Sequence, residues 1–195
     1  MTHPALDLTA SRNIDRNSKE AALSVVAFWR AAEAHWFAKD PVFDRAFHDR
    51  FIDLHLAVAS RRHGDWIDDP ASALALVILT DQFPRNAFRG TADMYATDNV
   101  ARIYAHQALA KGYMDSVERS LRVFLCLPFA HSEDAADQHR SVALHPAFIE
   151  HWLSHAEAHR DIIHRFGRFP HRNAILGRTS TEAELTFLAD GGFAG

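Results

Sequence analysis

The sequence predicts an all-α chain, and three observations carry that prediction. Apolar residues recur at spacings of three and four through most of the chain from Ser18 onward. Asp-Pro pairs and single glycines stand where such stretches begin and end. No stretch alternates apolar and polar residues with comparable regularity, so no strand is expected.

The elements follow in order. Residues 1–17 read as an irregular N-terminal segment, and residues 18–195 as one helical domain. The first helix is the alanine-rich "SKEAALSVVAFWRAAEAHWF". Asp40-Pro41 opens the second, because Asp accepts free backbone N–H groups and Pro fits the first helical position. Phe43, Phe47, Phe51, Leu54 and Val58 then form its apolar stripe. Asp69-Pro70 repeats the signal for "ASALALVILTDQF", which is apolar on nearly every face from Ala73 to Leu79 and therefore expected at the centre of the fold. Pro84 disfavours helical geometry at Phe83 and should end that helix. A loop of about a dozen residues, "RNAFRGTADMYAT", is expected next. Asp98 should then cap "NVARIYAHQALAKG", which Gly112 terminates. "DSVERSLRVFLCLPFAH" is read as a fifth helix breaking near Pro128, and "SEDAADQHRSVALH" as a sixth with Ser132 as its cap. Pro146 should open a seventh that stops at Gly167. Thr181 and Glu184 match a capping box for "EAELTFLA". Helices of this length with short and medium connections imply antiparallel helical hairpins, and the tetratricopeptide consensus and any fixed-period repeat are absent.

Composition limits the function. The formal net charge is -4, against the basic bias of a nucleic-acid binder. Cys126 is the one cysteine, which rules out an intrachain disulfide and a cysteine-built metal site; its apolar neighbours imply a buried, inert thiol. No window approaches ~18 apolar residues, and the N-terminus has no secretory pattern, so no membrane association and a cytoplasmic location are expected. There is no P-loop, dinucleotide fingerprint or nucleophile elbow, and no cofactor is implied. Trp29, Trp36, Trp66 and Trp152 read as packing residues.

Three polar segments stand out beside expected helix ends. They are "LTDQFPRNAFRG", "PFAHSEDAADQHR" and "HRDIIHRFGRFPHRN". The last packs four arginines and three histidines around Ile162, Ile163, Phe166 and Phe169. The first and last share a near-echo, "FPRN" at 83–86 and "FPHRN" at 169–173.

"LTDQFPRN", "FRGT", "HSEDAADQ" and "HRDIIHRFGRFPHRNAILGR" resemble the signature blocks of the bacterial DUF924 family, from about Val25 to the C-terminus. The resemblance implies an all-α, tetratricopeptide-like domain without an assigned activity. It carries over Asp81, Gln82, Arg85, Asn86 and Arg89, then His131, Glu133, Asp134, Asp137 and Gln138. It also carries over His159, Arg160, Asp161, Arg165, Arg168, His171, Arg172, Asn173 and Arg178. Ala135 departs from the family pattern, where a leucine is expected.

Two readings of these residues stay open. In one, Asp81, Gln82, Arg85, Asn86, Arg168, Arg172 and Asn173 hold a small anionic ligand. His131 or His171 then carries a proton, and Glu133 or Asp137 orients a histidine or serves as base. In the other, the charges form ion-pair networks in a helical module that binds a peptide in a groove. Acids at 133 and 134 also favour a helix N-terminus without any further role. His151, His155 and His159 share a face only pairwise, and all three cannot readily reach one ion, so no metal is expected.

Overall fold

The computed structural model describes residues 8–144 and 150–194, with the side chains of 17–144 and 152–194. Two aspartates start helices as their contexts require. Asp40 Oδ1 accepts from the backbone N–H groups of Val42 and Phe43 at 2.9 and 3.2 Å, opening α2 (Pro41–Ala59). Asp69 Oδ1 accepts from Ser72 N at 3.1 Å, opening α3 (Pro70–Val77). Every residue of α3 from Ser72 to Val77 is buried. It packs against α1 (Leu8–Ala31), α5 (Asp98–Ala110) and α6 (Val123–Ala130), which is the central place its all-round apolar sequence demands. A short α4 (Phe83–Ala87) packs on α2. Then α7 (Ala135–Leu144) packs between α6 and α8 (Glu150–Phe166), and α9 (Glu182–Ala189) closes the described chain. The described residues contain helices, turns and no strand.

The expected stops at glycine hold. Gly112 and Gly167 take φ of 74° and 69° just after α5 and α8, a region that a side chain disfavours. The Thr181–Glu184 capping box is also present. Pro146 lies outside the described residues.

Four expectations change. First, α1 begins at Leu8, inside the segment read as irregular. No Pro or Gly separates Leu8 from Ala31, and extending an existing helix costs far less than nucleating one. Second, Pro128 lies within α6 without breaking it, and the helical stretch starts only near Arg119. Third, Asp134 rather than Ser132 caps α7, accepting from Ala136 N and Asp137 N at 2.8 and 3.0 Å.

The fourth change positions the site. Pro84 does not end the helical path, because Ile78–Gln82 form a π-helical turn that leads straight into α4. Phe83 N donates to Ile78 O, five residues back. Pro84 has no N–H, so the carbonyls behind it need other donors. His55 Nδ1 donates to Leu79 O at 2.8 Å, and Thr97 Oγ1 to Thr80 O at 2.6 Å. Arg85 Nη1 donates to Asp81 O at 2.8 Å. Outside donors thus stabilise a widened turn of the kind found at functional sites. The expected long loop is shortened by α4 and by a 3₁₀ turn at Ala92–Tyr95.

Replacing Thr97 by Val keeps the shape and leaves the Thr80 carbonyl without that donor. Chemical denaturation should show a loss of about 1–3 kcal/mol. An unchanged midpoint would mean the π turn does not depend on it.

Candidate anion-binding cleft

Gln82, Arg85, Asn86, His131, His171 and Arg172 meet at one cleft of about 610 Å³. The π turn and α4 supply the first three, the C-terminus of α6 supplies His131, and the loop after α8 supplies the last two. The echoed motifs have parallel geometry. Each proline lies at the start of a short helical turn, Phe83–Ala87 or Pro170–Arg172, and each following arginine reaches Asp98 and Tyr95.

The two arginines are not equally served. Arg85 forms a fork with Asp98, its Nη1 and Nη2 donating at 2.8 and 3.1 Å, and its Nη1 also lies 3.1 Å from Asp81 Oδ1. Burial opposes the Arg85 charge, but Asp81 and Asp98 more than restore it. Arg172 comes no nearer than 3.5 Å to Asp98. Its Nη2 donates to the His131 carbonyl at 3.0 Å, and its buried Nε has no partner among the described residues. The guanidinium is held 4.5 Å from the ring centroids of both Tyr95 and Phe169. Only 7% of Arg172 is exposed. Burial, followed by repulsion from Arg85, pulls its pKa below the ordinary guanidinium value. Two guanidiniums face two carboxylates here, so charge balances in number but not in place.

Asp81 lies fully buried behind the cleft wall. Its Oδ2 accepts from Gln82 Nε2 at 2.6 Å and its Oδ1 from His131 Nδ1 at 2.8 Å. Burial alone would raise the Asp81 pKa, but the Arg85 and His131 contacts outweigh it and hold the group ionised. An ionised carboxylate only accepts, so Nδ1 of His131 carries the proton and Nε2 is left with a lone pair. Burial, then Arg85, lowers the His131 pKa, so the ring is neutral near pH 7. The His131 side chain retains 16% exposure in the cleft wall.

Three further histidines line the cleft, His155, His159 and His171. His159 is pushed down to about 3, first by burial and then by repulsion from the cationic groups around it, Arg172 among them. His171 is pushed down to about 4 by burial and by Arg172. His159 and His171 each have a buried Nδ1, and Asn86 a buried Nδ2, with no partner among the described residues. His171 is thus neutral near pH 7.

The other expected site residues are not among those lining the cleft. Glu133 accepts from Arg178 Nη1 and Nη2 at 2.7 and 3.0 Å and from Phe169 N at 2.8 Å, clamping the C-terminal loop. Asp137 accepts from Ser132 Oγ at 2.7 Å and lies 3.5 Å from Arg102 Nε, tying α7 to α5. Arg168 forks onto Glu184 at 2.6 and 2.8 Å. Asn173 is buried and donates to Ser180 Oγ at 3.1 Å. In the charged stretch at 159–173, Arg160 pairs with Asp161 and Arg165 lies over Phe166 and Phe187. Arg172 alone among its four arginines lines the cleft.

Sequence reasoning missed Asp98, Tyr95 and the aromatic wall of Trp36, Phe37, Trp152 and Phe193. An acid at a helix start already has a local explanation, so Asp98 gave no distinct signal; Thr97, not Asp98, takes the cap position. The tryptophan reading holds for Trp29 and Trp66, whereas Trp36 and Trp152 also face the cleft. Cys126 is buried, and burial pushes its thiol up to about 12. The His151 side chain lies outside the described ones, and among the described residues no group of three His, Cys, Asp or Glu is arranged to hold a metal ion.

Fold and site together define an all-helical protein with a charge-lined cleft walled partly by its C-terminal loop. The chain belongs to the DUF924 family, "Bacterial protein of unknown function", whose model matches residues 25–192. Among solved structures it is similar to the protein of unknown function ATU0120 from Agrobacterium tumefaciens. The two share 50% identity over 89% of this chain and 99% of the other, with a TM-score of 0.87. No curated protein matches it. Among the described residues no helix is long and apolar enough to cross a membrane.

The half-buried His159 and His171 set a pH dependence. Their folded pKa values lie below the unfolded value of about 6.5, so the unfolded chain binds more protons as pH falls below that value. Stability is therefore full above about pH 6.5 and declines toward the folded values. Denaturation at about pH 7 and about pH 5 should show this decline, and a His159→Gln, His171→Gln double variant should show less of it. An equal decline in both proteins would remove these two groups as its source.

Proposed function

We propose that the cleft binds a small anionic molecule, with Arg172 as its counter-charge and His131 as a proton acceptor beside it. The observation that carries this reading is the buried Arg172 guanidinium, whose Nε has no partner among the described residues and whose nearest described carboxylate, Asp98, lies 3.5 Å from Nη1. Leaving such a group unmatched costs several kcal/mol, which a bound carboxylate or phosphate would offset. Asn86, His159 and His171 line the same cleft, and each keeps a buried side-chain nitrogen with no partner among the described residues.

The His131–Asp81 pair gives the reading a catalytic form. A neutral imidazole held through Nδ1 by a buried carboxylate leaves Nε2 free to take a proton, and the carboxylate stabilises the imidazolium that results. Gathering of these groups at one cleft supports a small-molecule site over a peptide groove. The packing of α5 to α8 in chain order fits a tetratricopeptide-like stack, and one buried free thiol fits a cytoplasmic protein. In this reading Glu133–Arg178 and Arg168–Glu184 are structural clamps that hold the Arg172 loop in place.

Inorganic phosphate or acetate at saturation should raise Tm, by about 5–10 °C at 100 times Kd. Arg172→Gln should lose that rise while still unfolding cooperatively. Asp98→Asn should lower Tm of the free protein yet tighten anion binding several-fold, because it removes the competing carboxylate. A structural clamp alone predicts the loss of stability without tighter binding, and that result would sink the proposal.

Removing His131 should separate binding from proton transfer. In His131→Gln the anion-dependent Tm rise should persist. In the parent protein, NMR titration of His131 should show its pKa move upward when the anion binds. No movement would place the anion too far from the ring to be acted on.

A further inference from the structure

We infer that the ligand is amphipathic, an anion carrying an aryl or alkyl tail, with the tail lying against Trp152 and Phe37. This rests on the anion-binding reading of the same cleft and adds the class of molecule.

One helix face sets the layout. Trp152, Ala156 and His159 of α8 all line the cleft, at helical spacing along one side. His159 marks the anion end, since its ring packs on Phe169, 5.4 Å between centroids, and Phe169 stacks under Arg172. Trp152 marks the other end, seven residues earlier and so roughly 10 Å away along the helix axis. A bare phosphate or acetate fills only the first of these.

The far end is apolar and partly open. Phe37 packs its ring on Trp152, 4.5 Å between centroids, and remains 53% exposed. Among the described residues the exposed large hydrophobics include two aromatic rings, Phe37 and Phe193, and both line this cleft. Phe193 covers the anion end by packing on His159 and His171, at 4.7 and 5.1 Å. Exposed aromatics gathered at one concavity, with a buried cation at one end, match an elongated molecule having a charged head and an apolar body. The cation fixes the head, and burial of the tail against Phe37 and Trp152 supplies affinity that a small anion lacks.

The test compares 4-phenylbutanoate with acetate by NMR titration of the full chain. The parent protein should bind 4-phenylbutanoate at least tenfold tighter. Phe37→Ala, a change at a half-exposed ring, should cut that preference at least threefold while acetate binding stays the same. If both anions bind equally and both need Arg172, the tail site is wrong and the anion site stands. If the preference survives Phe37→Ala, the tail lies elsewhere and the assignment falls. If neither anion binds, the anion site and the tail site fall together.

Discussion

A buried guanidinium that reaches no carboxylate closely must be held by everything around it, and Arg172 is such a group. Two aromatic faces, a backbone carbonyl and a carboxylate at 3.5 Å keep it in place. These contacts offset part of the cost of burying the charge and leave Nε facing no acceptor among the described residues. Arg85 takes the strong partners instead. It engages both Asp81 and Asp98, so the carboxylates are committed before Arg172 can use them. The imbalance is one of position, and it comes from two short proline-led turns delivering two arginines to the same place.

The rest of the fold can be understood as support for that place. The fully buried α3 gives a rigid axis, and its π turn aims Asp81 at His131 and Arg85 at Asp98. The turn is tolerated because His55 and Thr97 satisfy the carbonyls that Pro84 cannot. On the opposite wall the Arg172 loop is pinned by Glu133 to Arg178 and to Phe169 N, and by Arg168 to the capped start of α9. A small satellite core of Ile162, Ile163 and Phe169 anchors the same loop. The Glu133–Arg178 and Arg168–Glu184 pairs lie outside the cleft lining, whereas the well-paired Arg85 and the less well-paired Arg172 both line it.

Much of the fold was legible because local rules sufficed for it. Asp-Pro starts, glycine stops, the Thr181–Glu184 box and the all-apolar stretch at 73–79 each carry their own explanation within a few residues. Pro84 was misleading for the same reason. The local rule disfavours an ordinary helix there, but donors from 24 and 17 residues away stabilise a wider turn. The cleft was half legible. Its arginines were marked by the echo of "FPRN" and "FPHRN", and His131 by its place in a polar block. Asp98 was hidden because an acid at a helix start already has a local explanation, and the pairing of Glu133 with Arg178 and of Asp137 with Arg102 was hidden because those arginines lie on other elements. Phe37, Trp152 and Phe193 are ordinary apolar residues in sequence, and only their meeting at a concavity gives them meaning.

The central claim is that Arg172 Nε–H awaits an acceptor, and it can be observed directly. The Arg172 Nε–H resonance should be followed by nitrogen-proton NMR while inorganic phosphate is added. The account predicts a saturable downfield shift of that proton as a charge-assisted hydrogen bond forms. A resonance that stays fixed while phosphate binds elsewhere, or does not bind, would show that the guanidinium is already satisfied and that the cleft is not an anion site.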